Sequence, residues 1–177
     1  IWSLSSSWAM EKAAASEVNT MTIGAVLADS AFEDASGEPY RLSDSQHDGP
    51  WILLYWASWC PSCKEVLGRA DALAAKAAEE GAALLLVNKL DGVKETKEQA
   101  LAWLAANGIQ TETVFDPEAT HYDALHLAYV PTVLVAGADG VVTSFASGGV
   151  PQDTALLSML REAKYGKSAR MEAVVAE

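Results

Sequence analysis

Cysteine is nearly absent: the 177-residue chain has two. Two cannot build a disulfide scaffold for a chain of this size. Nor can they make a structural zinc centre unless histidines join them. Histidine is scarce as well, with three in the chain. His47 falls in a loop segment; His121 and His126 are five apart in a short helical stretch, which does not place them on one face. Basic residues are outnumbered, 12 Lys and Arg against 24 Asp and Glu, for a net charge of −12. Nucleic acid is thereby disfavoured as a partner, because phosphate binding needs clustered Lys and Arg. No apolar run reaches the roughly 18 residues of a membrane span. Charge is thin overall, at 20% of residues against 50% hydrophobic. A chain so composed is not globally disordered, and its length fits one domain with a sizeable core.

Residues 1–22 read as an N-terminal extension without a core of its own. The chain begins at Ile1, and residues 1–10, apolar and serine-rich, read either as the remnant of a leader or anchor or as a lead-in helix packed on the domain. Residues 23–163 carry the domain. Asp34-Ala35-Ser36-Gly37-Glu38-Pro39 is turn chemistry between short segments at Ala31-Phe32 and Tyr40-Arg41-Leu42, which predicts a β-hairpin. The continuous apolar run 51–56 predicts a strand buried on both faces. After Cys60, the residues Val66, Leu67, Ala70, Leu73, Ala74 and Ala77 recur at helical spacing up to a stop at Gly81. A second buried strand is predicted over 82–87, a helix over 94–106 ending at Asn107-Gly108, and a short strand over 113–115. Asp116-Pro117 reads as the N-cap and first turn of a helix reaching about Leu127. Segments 132–136 and 141–145 flank Gly137-Ala138-Asp139-Gly140, the spacing of an antiparallel pair with a tight turn. A last helix is predicted over 152–163, with Leu156, Leu157, Leu160 and Ala163 as its buried stripe. Residues 164–177 are polar and alanine-rich, either a frayed extra helix or a C-terminal tail. The order predicts an α/β fold: a mixed central sheet, its first strands parallel through right-handed crossovers, with helices on both faces.

Both cysteines stand at one strand-to-helix junction, in Trp59-Cys60-Pro61-Ser62-Cys63. At that spacing one disulfide can open and close with little backbone movement. The first sulfur sits over the amino end of the predicted helix, where unpaired N–H groups and the helix dipole favour an anion. A thiolate is the species that attacks disulfides. C-x-x-C beside a βαβ pattern therefore reads as a redox dithiol, with the Cys60–Cys63 disulfide itself as the redox group and no further cofactor.

Tyr55-Trp56-Ala57-Ser58-Trp59-Cys60-Pro61-Ser62-Cys63-Lys64 resembles the signature of the TlpA/ResA-like extracytoplasmic thiol–disulfide oxidoreductases, within the thioredoxin-like superfamily. Gly37-Glu38-Pro39 followed by Leu42-Ser43-Asp44 is similar to that group's opening hairpin, and the helix-bearing insertion between Asn88 and Phe115 matches this branch. The resemblance covers about residues 24–163. It implies a thioredoxin-like fold with an N-terminal β-hairpin extension and an inserted helix. It also implies a cis proline beside the dithiol at Val130-Pro131-Thr132, leaving the backbone of Val130 to pair with an extended substrate; an ordinary trans proline at a strand start is the alternative. The partners implied are protein thiols and disulfides and a membrane thiol donor, the location extracytoplasmic, with anchoring in the full-length protein, and the direction that of a reductase. Three departures stand out. Leu54 occupies the place where thioredoxin has a buried Asp. Gly68 replaces a helix-kinking proline and still permits a bend. Residues 126–132 do not reproduce the pattern of the cytochrome-maturation branch.

On this reading Cys60 attacks, from the exposed end, and Cys63, more buried, resolves the mixed disulfide. Trp59 shields the sulfur and offers flat apolar surface to a partner, Pro61 pre-sets the first helical turn, and Ser62 hydrogen-bonds a sulfur. Lys64 and Glu65 read as solvated charges. Two other classes are open: a copper chaperone using Cys60, Cys63 and His126, since thiolates suit Cu(I), and a redox-silent interaction domain of the same fold.

Overall fold

Two strands with almost no polar side chains, 51–56 and 83–87, form the middle of the molecule. The computed structural model describes residues 23–27 and 32–175, with side chains as far as Tyr165; the expected extension 1–22 lies outside them. The hairpin is β1 (Phe32–Glu33) and β2 (Pro39–Tyr40), with Leu42–Asp44 in a 3₁₀ turn. Then come β3 (Trp51–Trp56), α1 (Pro61–Leu67), α2 (Ala70–Glu79), β4 (Ala83–Lys89), α3 (Lys97–Ala106), β5 (Thr113–Asp116), α4 (Thr120–Ala124), β6 (Thr132–Ala136), β7 (Val142–Ser147) and α5 (Asp153–Val175). The strands form one mixed sheet in the order β2-β1-β5-β4-β3-β6-β7. Strand β4 runs parallel to both β3 and β5, and β6 is antiparallel to β3 and β7. This is a thioredoxin-like fold.

Alternation along the strands divides the core in two. Ile52, Leu54 and Trp56 face one cluster with Cys60, Cys63, Leu67, Leu73, Ala100, Leu104, Leu156 and Leu160, supplied by α1, α2, α3 and α5. Trp51, Leu53 and Tyr55 face the other, with Phe32 of the hairpin, Tyr122 of α4, Leu125 and Val142. All six residues of β3 are buried, which explains why the run has no polar position. Removing the methyl-bearing part of a side chain such as Leu73 would cost about 2–5 kcal/mol.

Several boundaries differ from the sequence-based expectation, each for an identifiable reason. The helix after Cys60 is two helices. Gly68 and Arg69 separate them, and Arg69 leaves the helical ladder with φ −112° and ψ 5°. Its guanidinium ion-pairs with Asp153 and donates to Pro151 O at 3.0 Å, tying the break to the start of α5. Helix α3 begins at Lys97, not 94, because Asp91 Oδ1 accepts from the backbone N–H of Val93, Lys94 and Glu95 and holds them in a turn. Thr96 and Gln99 then form a reciprocal capping box. The single helix expected from Pro117 to Leu127 is broken as well. Pro117–Ala119 is a 3₁₀ turn, Glu118 and Ala119 have left-handed φ of 55° and 54°, and α4 spans Thr120–Ala124 only. Asp116 caps across the break: its carboxylate accepts from His121 N at 2.9 Å and Tyr122 N at 2.7 Å, beyond the turn that it precedes. Helix α5 continues to Val175, through most of the segment read as tail or frayed helix. The β6–β7 turn closes through Gly140, whose φ of 72° suits glycine.

Candidate active site

The polypeptide leaves β3 at Trp56 and turns sharply. Cys60 N donates to Ala57 O at 3.2 Å, closing a turn with Ser58 and Trp59 at its corner. Cys60 is the N-cap of α1 and Pro61 its first residue, where a missing N–H is harmless and φ is pre-set. One turn on, Cys63 N donates to Cys60 Sγ at 3.2 Å. The two cysteines are joined as a disulfide, with Cα atoms 5.3 Å apart. The sulfur of Cys60 therefore occupies the capping position where a side-chain oxygen usually stands.

The other expected residues gather here. Ser62 Oγ is 3.8 Å from Cys60 Sγ, and Val130 O is 3.5 Å from it. The Val130–Pro131 peptide bond is cis. Trp59 is 44% exposed, while Cys60 is 3% and Cys63 0% exposed. The expectation that Cys60 lies open is thus corrected: it is buried in the disulfide form, with Val130 O and Ser62 Oγ against its sulfur, and the exposed neighbour is Trp59. Lys94 Nζ stands 5.5 Å from the centre of the Trp59 ring. Val93 and Tyr129, the sequence neighbours of Lys94 and Val130, are 88% and 65% exposed.

The copper set is not brought together. His126 is exposed at the end of α4 with φ 53°, and no group of three or more His, Cys, Asp or Glu among the described residues is placed to hold a metal ion. His47 is occupied elsewhere, with Nε2 3.0 Å from Pro50 O and its ring edge-on to Trp51. The His121 ring packs at 4.8 Å on Phe32. A cleft of about 1150 Å³, lined by His47, Gly49, Gly81, Gly137 and Lys164 among others, opens at the opposite pole, by the start of β3 and β4. Among the described residues, no helix is long and apolar enough to cross a membrane.

Sequence reasoning missed two buried polar residues, Asn88 and Glu95, both 0% exposed. Glu95 Oε1 accepts from Ser58 N at 3.0 Å and from Asn88 Nδ2 at 2.9 Å, and Oε2 accepts from Ser58 Oγ at 2.7 Å. The only available signal was Asn88 at the end of an apolar strand; Glu95, between Lys94 and Thr96, looks like any surface acid. On the other face of the sheet, burial pushes the Tyr55 hydroxyl well above its ordinary pKa, reinforced by the charge of Asp116. Burial also raises the Asp116 carboxyl, against the N–H groups of His121 and Tyr122 that favour its charge.

Solved structures of similar fold include a putative thiol:disulfide interchange protein DsbE from Chlorobium tepidum, 24% identical, with TM-score 0.68, covering 80% of this chain and 96% of that one. The pneumococcal exposed lipoprotein thioredoxin Etrx1 from Streptococcus pneumoniae is 26% identical, with TM-score 0.65, covering 76% and 99%. A secreted Mycobacterium tuberculosis disulfide oxidoreductase homologous to E. coli DsbE is 16% identical, with TM-score 0.59, covering 74% and 93%. Residues 23–145 match the AhpC/TSA family model. With that match, the fold and the paired sulfurs at the tip of α1, the chain belongs to the AhpC/TSA family and is a thioredoxin-like protein-disulfide oxidoreductase.

Proposed function

We propose that this protein is a TlpA/ResA-like oxidoreductase that reduces disulfides of protein substrates outside the cytoplasm and is recharged by a membrane thiol donor. The observation that carries the reading is the Cys63 N–H aimed at Cys60 Sγ at the tip of α1. Once the disulfide is opened, that N–H and the helix end favour a negative charge on Cys60 Sγ and make it the attacking sulfur. Its thiolate attacks a substrate disulfide, forming a Cys60–substrate bond and releasing one substrate thiolate. Cys63 then attacks Cys60 Sγ, closing the Cys60–Cys63 disulfide and releasing the second substrate sulfur. Two electrons pass to the substrate, and the two sulfurs supply the chemistry without another cofactor. Trp59 shields the mixed disulfide, Ser62 donates to a sulfur, Pro61 holds the first turn, and the backbone of Val130 before Pro131 pairs with the extended substrate segment.

The aromatic-Trp-Ala-Ser-Trp-Cys signature supports the narrower group, and the exposed and secreted neighbours support the location. Equilibrating the protein in glutathione buffers of graded poise, read by tryptophan fluorescence, tests the direction. A potential at or below about −250 mV fits a reductase; one near that of DsbA, about −120 mV, would make it an oxidase and reject the proposal.

A further inference from the structure

The turn that delivers Cys60 is tied to a buried acid 37 residues away in sequence. Glu95 accepts from both donors of Ser58, its N–H and its hydroxyl. Ser58 lies inside the turn closed by Cys60 N and Ala57 O, so the carboxylate grips the segment between β3 and the attacking sulfur. The acid is itself held from below. Asp91 fixes the backbone of 93–95, and Asn88 gives an amide N–H to Glu95 Oε1. Asn88 is opposite Trp56 in the β3–β4 register. Among the described residues Asn88 Oδ1 and Trp56 Nε1 find no hydrogen-bond partner, while three donors reach the acid. The polar groups of this corner are arranged around the charge, at the expense of their own pairing. Lys94, over Trp59 at 5.5 Å, is the cation beside it.

We propose that Glu95 is a positioning residue for the dithiol: it sets the turn that places Cys60, and its charge keeps the Cys60–Cys63 couple more reducing than an uncharged residue of the same shape would. The inference rests on the redox reading above. A negative charge buried near Cys60 disfavours its thiolate, while the disulfide carries no charge to be disfavoured. The reduced form is therefore destabilised relative to the oxidised one, and burial limits the screening of this effect by salt.

Glu95→Gln separates charge from support. Its oxygen keeps the Ser58 and Asn88 N–H bonds, and its amide donates to Ser58 Oγ once the hydroxyl turns to accept. Ser58→Ala does the reverse, leaving the charge with one donor fewer. In glutathione buffer, two glutathione thiols reduce the protein disulfide and leave as one glutathione disulfide, two electrons and two protons passing to the dithiol. Equilibrium constants for this exchange are measured for the wild type and both variants. Glu95→Gln should shift the equilibrium toward the dithiol about tenfold, which is about 30 mV less negative. Ser58→Ala should shift it toward the disulfide, about threefold. A Glu95→Gln value within about twofold of wild type overturns the inference, as do two variants that move in the same direction, the signature of mere structural support. Should Glu95→Gln not fold, Ser58→Ala decides alone: a shift toward the disulfide supports the role, and no shift or the opposite one overturns it. A wild type that never exchanges with glutathione rejects the redox reading and this inference with it; a normal wild type with unmoved variants rejects only the role of Glu95.

Discussion

Replacing Cys63 with serine should arrest exchange after its first half. In the intact protein the second step is intramolecular. The Cα atoms of Cys60 and Cys63 are 5.3 Å apart, and Cys63 sits one helical turn below its partner. A sulfur confined to that distance acts at an effective concentration on the order of 1 M, even with no gain from alignment. A serine hydroxyl cannot attack the mixed disulfide, so release would depend on external thiol. At about 1 mM thiol the mixed disulfide should then last roughly 10³ times longer. The assay is incubation of the reduced variant with insulin, acid quenching, alkylation, and non-reducing electrophoresis with mass analysis of the adduct. Cys63→Ala serves as a second variant with no polar group at this fully buried position. Cys60→Ser should trap nothing, because Cys63 is 0% exposed and lies beneath the first sulfur. Adducts of Cys63→Ser that clear within tenfold of the wild-type rate, or an adduct carried by Cys63 in Cys60→Ser, would refute the order of attack.

Three further outcomes follow from geometry. In Gly49→Ala the new Cβ would lie 1.9 Å from the backbone O of Gly81 and 3.0 Å from the His47 ring; chemical denaturation should show a loss of about 1–3 kcal/mol or more, with disulfide exchange by the folded fraction unchanged, and a loss under about 0.5 kcal/mol would mean that the two glycines do not meet. Asp153 is held below the ordinary carboxyl value of 3.8, by Lys76 first and then Arg69. Its contribution is present above that value and lost as pH falls through the lower folded one, so melting curves of Asp153→Asn should fall below wild type at pH 7 and converge with it as pH drops under 3.8; a difference that persists or grows in acid would contradict the ion pairing of α5 with α1–α2. Trp59→Ala removes a side chain that is 44% exposed, so it should leave the denaturation midpoint within about 0.5 kcal/mol while raising KM for a protein disulfide about three- to tenfold and sparing kcat; an unchanged KM would remove Trp59 from the docking surface.

Elements that declare themselves by local composition were readable in the chain. The run 51–56 became β3 at those limits because a strand buried on both faces has no polar residue to blur its ends. The Gly-containing turns and the two-residue spacing of the cysteines are equally local. Boundaries set by a single side chain acting several residues away were not. Asp91 withholds 93–95 from α3, and Asp116 reaches past Pro117 to cap α4. In both cases the residue types suit a helix, and a carboxylate accepting two or three backbone N–H groups outweighs that preference. Helix propensities differ by under about 1 kcal/mol per residue, whereas a hydrogen bond to a charged group contributes about 1.5–3 kcal/mol.

The same distinction runs through the site. Cys60, Pro61, Ser62 and Cys63 are contiguous, and their roles follow from one helix end. Val130 lies 70 residues away and was placed beside Cys60 by resemblance, since periodicity carries no information about which loop closes over a strand end. Glu95 had neither aid. Its importance depends on the parallel register of β3 and β4, which sets Asn88 opposite Trp56 and so brings the loop after β4 up against the turn after β3. That register also gives meaning to Leu54. The residue is buried on the same face as Cys63 and has no proton to exchange, so β3 contributes no titratable group beneath the sulfurs. The acid of this corner enters from the loop after β4 instead, bonded to the turn rather than to either cysteine. An acid so placed acts on the sulfurs through its field and through Ser58, which is why its removal should move the redox equilibrium while leaving the order of attack intact.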